Sequence, residues 1–223
     1  MKKVIFAKSI EDLENIRNFK DLDRLTIILL NDIYFDEGYY FSPINMSGTD
    51  VVIYGFNNSI NSLTTKNKSI NYSGLFSEVK SLYVKNLRMY RANINANEIC
   101  GILAGSVAGD VNINGVFIDG VINCDAIGGG IVGICKNINV NNSYINTTFN
   151  ARGALGGLAA MADDYSFKDS YLNACFNAKE YRLIDHYVAY LGKREGVVAK
   201  AIAVEANDHY ERIQSIKLKN NLL

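Results

Sequence analysis

Long hydrophobic runs are missing from this 223-residue sequence. No stretch approaches the roughly 18 apolar residues of a membrane helix. Near the N-terminus the apolar run from Val4 to Ala7 is four residues long and is followed by an acidic stretch, whereas a secretory signal needs roughly 7–15 apolar residues. The expectation is a cytoplasmic protein without membrane insertion, in its own organism or in a host that a phage has infected. An excess of either charge is missing too. Lys and Arg total 23, Asp and Glu total 23, and the formal net charge is zero. That argues against a nucleic-acid binder working through bulk charge. Cysteine is scarce: Cys100, Cys124, Cys135 and Cys175 stand 24, 11 and 40 residues apart. None of these is a CxxC or zinc-ligand spacing, so the four read as free thiols in a reducing compartment, buried as small hydrophobes. Tryptophan is absent and proline occurs once. In their place stand 27 asparagines, 18 glycines and 14 tyrosines. This small-and-polar bias calls for a structural cause.

The cause is a repeat. Ser73-Gly74-Leu75-Phe76, Cys100-Gly101-Ile102-Leu103, Gly129-Gly130-Ile131-Val132 and Gly156-Gly157-Leu158-Ala159 share a small residue, a glycine and then apolar residues. Their second residues are 27, 29 and 27 apart. A second landmark follows each: Asn86-Leu87-Arg88-Met89, Asn114-Gly115-Val116-Phe117, Asn142-Ser143-Tyr144-Ile145 and Asp169-Ser170-Tyr171-Leu172, at spacings of 28, 28 and 27. Helical-pair repeats run to about 33 residues or more, and the leucine-rich spacing does not recur. Between landmarks, apolar and polar residues alternate with period two, rich in Val, Ile, Tyr and Phe. Short strands with tight corners every 27 or so residues fit one coil of a parallel β-helix, stacked at roughly 4.8 Å.

Stacking sets equivalent corners above one another. Asparagine tolerates the left-handed conformation and can pass hydrogen bonds along a ladder. Asn86, Asn114, Asn142 and Asp169 are therefore the expected corner ladder. Leu87/Met89, Gly115/Phe117, Ser143/Ile145 and Ser170/Leu172 should point inward. Leu75, Ile102, Ile131 and Leu158 should stack as one interior row. Arg88, Val116, Tyr144 and Tyr171 should form an outward column.

The motif Gly-Ile-Leu-Ala-Gly-Ser-Val at 101–107 with Asn114, recurring as Gly-Gly-Ile-Val-Gly-Ile-Cys at 129–135 with Asn142-Ser143-Tyr144, resembles the GLUG repeat of bacterial surface and adhesin-type proteins. The resemblance covers roughly residues 72–178. It implies a mainly β fold, a single-stranded right-handed parallel β-helix, and is not specific for any activity.

The flanks lack the landmarks. Residues 1–24 read as an N-terminal cap with a helix, because Ser9-Ile10-Glu11-Asp12 is capping-box-like and Ile10, Leu13 and Ile16 follow at helical spacing. Residues 25–178 read as the coils. Residues 179–223 read as a C-terminal cap, with Tyr181, Ile184, Val188 and Leu191 as a helical stripe. The segment 197–217 fits a helix but also alternates like a strand. The whole chain, 1–223, is expected to be one domain.

Sites of chemistry are few. Asp163-Asp164 is the only adjacent acidic pair within the repeats and reads as a solvated turn. His186 and His209 each follow an Asp and precede a Tyr in the expected cap; neighbours in sequence rarely face one another on a helix, so both read as surface or packing residues. Gly128-Gly129-Gly130 is followed by neither Gly-Lys-Ser/Thr nor a helix start, which excludes a phosphate loop. No catalytic, metal-binding or cofactor-binding set emerges, and no cofactor is expected. Exposed aromatics are the better surface candidates. Arg88, Tyr144 and Tyr171 in the column, with Tyr39 and Tyr40 in the Tyr39-Tyr40-Phe41 turn, are the expected partner-binding residues. The leading expectation is a non-enzymatic scaffold that binds a protein inside a cell, as a phage- or mobile-element-encoded inhibitor of a host factor would. The alternatives are a polysaccharide-binding or polysaccharide-cleaving β-helix protein and a structural spike or adhesin-type component. A monomer or dimer is favoured.

Overall fold

The strand from Phe117 to Cys124 alternates half-buried and buried side chains over all eight residues, the period-two pattern of a sheet with one face on a core. The same alternation recurs in most strands of a parallel β-solenoid of about six turns. The structure is a computed structural model that describes residues 1–66, 71–151, 153–177, 182–185, 187–191 and 202–204.

Among these residues the strands form three sheets. The first runs from Lys2–Ala7, here β1, through Arg24–Leu29, here β2, then Ile44–Tyr54 and Phe76–Lys85, where it forks. The second stacks Ile33–Tyr34, Ser59–Asn61, Arg88–Ala96, Phe117–Cys124, Tyr144–Ala151 and Tyr171–Phe176. The third stacks Tyr72–Ser73, Ile99–Gly101, Ile127–Gly129, Ala154–Gly156 and Arg182–Asp185, and Ile202–Val204 joins it antiparallel. The core lies between the sheets. In the second sheet Ile60, Met89, Ile118, Ile145 and Leu172 share one register row, each at most 1% exposed. Burying each such side chain contributes roughly 1.5–3 kcal/mol.

The N-terminal helix forms where the capping residues specify it. Helix α1 spans Ile10–Glu14. The Asp12 N–H donates to Ser9 Oγ at 3.3 Å, and the Lys8 N–H donates to Asp12 Oδ2 at 2.8 Å. Leu13 and Ile16 are buried against the end of the core. The segment 1–24 is not only a cap, however. β1 precedes the helix and pairs in parallel with β2, so the coils begin before residue 25.

The other end departs further from expectation. Ile184 and Val188 do not share a helical stripe; they lie in the strands Arg182–Asp185 and Val188–Leu191, which continue the third and first sheets. Both are buried. A parallel edge left by the previous coil offers a ladder of backbone partners, and that outweighs a period of three and four. Tyr181, His186, His209 and nearly all of the segment 197–217 lie outside the described residues.

The stacking registers correct three further positions, all in the coil from 101 to 117. Phe117, not Val116, pairs with Arg88 and Tyr144; Val116 is 2% exposed and joins the core. Gly115, not Asn114, has the left-handed corner beside Asn86, Asn142 and Asp169, with φ of 63°, 52°, 47° and 45°. A Cβ on Gly115 would lie 2.4 Å from Asn86 Oδ1, so the Asn86 side chain occupies that space. Leu103, rather than Ile102, directly precedes the Phe76–Ala104–Val132–Ala159 row and is the true neighbour of Leu75, Ile131 and Leu158. Ile102 is buried nonetheless. Two residues beyond the 27-residue period cause these shifts, one in Arg88–Ala96, ahead of Leu103, and one between Val107 and Val111, where the offset from the preceding coil grows from 28 to 29; a slip of one exchanges the faces of a strand.

Candidate binding face on the second sheet

The outer face of the second sheet is built from rows that run along the solenoid axis. Its first row is Ser59, Arg88, Phe117, Tyr144 and Tyr171. The rings of Phe117 and Tyr144 stack at 5.0 Å and 2°, and those of Tyr144 and Tyr171 at 4.7 Å and 12°. Tyr90 adds a tilted contact to Phe117 at 4.9 Å. Identical spacing of strands and rings is what lets aromatics in register stack. Burial first, then Tyr171 and Asp119, pushes the Tyr144 hydroxyl above its usual range, so it stays a proton donor.

Beyond the aromatic row lie amide ladders. Asn173 Nδ2 donates to Asn146 Oδ1 at 2.7 Å, and Asn146 Nδ2 to Asp119 Oδ1 at 2.5 Å. Farther across, Asn177 donates to Asn150 and Asn150 to Asn123, both at 2.9 Å, and Asn123 donates to Asn93 at 2.8 Å. Apart from Asn177, which directly follows the strand Tyr171–Phe176, the residues of these ladders stand on strands rather than at the corners expected from the sequence. An asparagine stacked one strand above another sets its amide N–H within reach of the preceding carbonyl oxygen.

A groove of about 450 Å³ opens on this face, lined by Arg91, Asn93, Asp119, Asn123, Asn146 and Thr148 among others. Arg91 reaches it through a bulge. Met89 pairs with Ile118 and Ala92 with Gly120, so two residues oppose one, and Arg91 takes a φ of 53°. Its N–H faces Asp119 Oδ2 at 3.4 Å. The preceding coil carries the same device at Ser62, with φ of 59°. Bulges are places where a sheet re-aims a side chain. Neither Arg91 nor the groove was singled out by sequence reasoning; the one usable signal was the longer interval between Arg88 and its partner Phe117.

The expected partner-binding residues divide. Arg88 is exposed, Tyr144 is 37% exposed and Tyr171 is half-buried, all in one row. The bridges Phe41–Thr65 and Thr64–Asn93 bring the exposed Tyr40 to the N-terminal continuation of this face. Tyr39 is engaged within the chain. It is half-buried, packs on Phe35 at 5.7 Å and donates to Glu14 at 2.5 Å. It ties the 36–41 turn to the N-terminal cap, which leaves no free hydroxyl to offer.

Elsewhere, Asp163 is exposed in a turn, its N–H bonded to Lys136 O. Asp164 starts a strand in one row with Asn137 and Asp110. Gly129 stacks between Gly101 and Gly156 as repeat backbone. Cys100, Cys124 and Cys135 are buried free thiols. Among the described residues no group of three or more His, Cys, Asp or Glu side chains is placed to hold a metal ion, and no helix is long and apolar enough to cross a membrane.

The fold and this face define the chain as a parallel β-solenoid with a ridged, amide-lined lateral surface. No family model, curated protein or solved structure matches it.

Proposed function

We propose that this protein is a non-enzymatic binding scaffold that engages another protein, inside a cell, through the outer face of the second sheet. The groove between the aromatic row and the Asn123–Asn150–Asn177 ladder carries the reading. Arg91, Asp119, Thr148 and the asparagines Asn93, Asn123 and Asn146 line it, the tyrosine row stands beside it on the same face, and tyrosine and arginine are side chains that anchor protein interfaces. Phe117 and Tyr144 each have rings on both sides. Their faces are spent on one another, and only ring edges and hydroxyls turn outward. A sugar ring that stacks on an aromatic needs a free face, so this geometry favours a protein surface over a glycan. The groove's amides at Asn93, Asn123 and Asn146 are themselves ladder members, so the ladder hydrogen bonds hold their remaining donors and acceptors in fixed directions.

The test is affinity capture from the native cell followed by mass spectrometry, with wild-type protein beside an Arg91→Ala variant and a Tyr144→Ser/Tyr171→Ser double variant. Circular dichroism verifies that each variant folds. The expected result is a captured protein lost at least tenfold in both variants. Undiminished capture by the variants removes this face from consideration. Binding on a glycan array, or turnover of an acidic polysaccharide, overturns the protein-partner reading.

A further inference from the structure

We infer that the N-terminal edge of the first sheet is a self-association surface, and that its occupant is β1 of a second copy of this chain. The argument is independent of the second-sheet face. β1 ends the strand order of the first sheet, with β2 on one side. The Arg24 N–H bonds to Met1 O and the Leu30 N–H to Ala7 O. In a parallel strand the N–H and C=O of one residue point to the same side, so odd-numbered residues of β1 face β2. Lys2, Val4 and Phe6 therefore turn their backbone groups away from it. Among the described residues α1 closes the end of the core and no strand pairs with the outer side of β1; Val4 is 52% exposed and Phe6 is 58% exposed.

A row of unpaired backbone groups is completed by another strand, and the sequence of β1 fits its own antiparallel copy. Setting Val4 against Val4 brings Lys2 opposite Phe6 on both sides of the twofold axis. The residues whose backbone groups point outward then oppose one another, giving three hydrogen-bonded pairs of two bonds each. On the outer face, the Lys2 ammonium of one copy lies over the Phe6 ring of the other, a cation–π contact. A shift by one pair sets Lys2 against Lys8, where like charges repel, and the Lys8 N–H is already held by Asp12. No proline or bulge guards the edge. Lys2 and Lys3 guard one end, and the antiparallel register uses Lys2 rather than opposing it.

The contact is small, below about 1,200 Å² in total, and its expected dissociation constant is in the range of about 10–100 μM. Sedimentation velocity across this range tests it with the full chain. Wild-type protein is expected to shift from monomer to dimer as concentration rises. Val4→Pro deletes an outward N–H from each copy while leaving the β1–β2 bonds in place. Phe6→Lys keeps every backbone group but sets a second ammonium against Lys2 of the other copy. Each is expected to raise the dissociation constant at least tenfold. Should Val4→Pro fail to fold by circular dichroism, Phe6→Lys alone decides. A monomer at every concentration up to about 1 mM, or a dimer indifferent to the folded variants, overturns the inference.

Discussion

Thr147 occupies an interior row with Ala92, Gly120 and Ala174 and is 1% exposed, yet its hydroxyl has no hydrogen-bond partner among the described residues. A buried hydroxyl in that state costs about 1–3 kcal/mol. Thr147→Val keeps the shape and removes the cost. The variant is expected to be more stable by about 1 kcal/mol, read as a higher urea midpoint at unchanged slope. Residue by residue, the sequence was most legible where alternation and capping act locally. Ser9 caps its helix, Met89, Ile145 and Leu172 point inward, and Asn142 and Asp169 turn the corners. It was least legible at Tyr39 and Arg91. The partner of the first, Glu14, is 25 residues away, and the direction of the second depends on a bulge.

At the scale of one coil, the decisive contacts are between backbones. Gly129 stacks on Gly101 and under Gly156. A Cβ on Gly129 would lie 1.8 Å from the Val132 carbonyl oxygen. No rotamer relieves a clash with main chain, so Gly129→Ala is expected to destabilise the protein by about 3–5 kcal/mol, measured by urea unfolding. The asparagine ladders belong to this scale too. Composition announced them and the repeat located their period, but the expected position at the corners was wrong. Corner asparagines serve the left-handed backbone turn. The hydrogen-bonded ladders form where strands hold side chains in register at one spacing, as at Asn123, Asn150 and Asn177.

Across the described residues one continuous core runs from Ala7 to Val188, and Cys135 belongs to it. Burial first, then Asp110 and Asp163, pushes the Cys135 thiol from 9.0 up to about 12. The folded state holds this proton more tightly than the unfolded chain does. The associated stability is complete below about pH 9 and is lost as pH rises through about 12, up to about 4 kcal/mol in all. Urea midpoints of wild type and Cys135→Ala should converge over that window; parallel profiles would contradict the assignment. The sequence by itself determined the parallel solenoid, its period and most of its inward rows, because these follow from alternation and from residues that recur at a fixed interval. Only the tertiary structure decided the register of the 101–117 coil, the strands Arg182–Asp185 and Val188–Leu191, the groove at Arg91 and the edge of β1 that no other described strand pairs with. Each of these depends on which backbone groups a neighbouring strand leaves unpaired, and such pairing is a property of stacked coils rather than of any one segment.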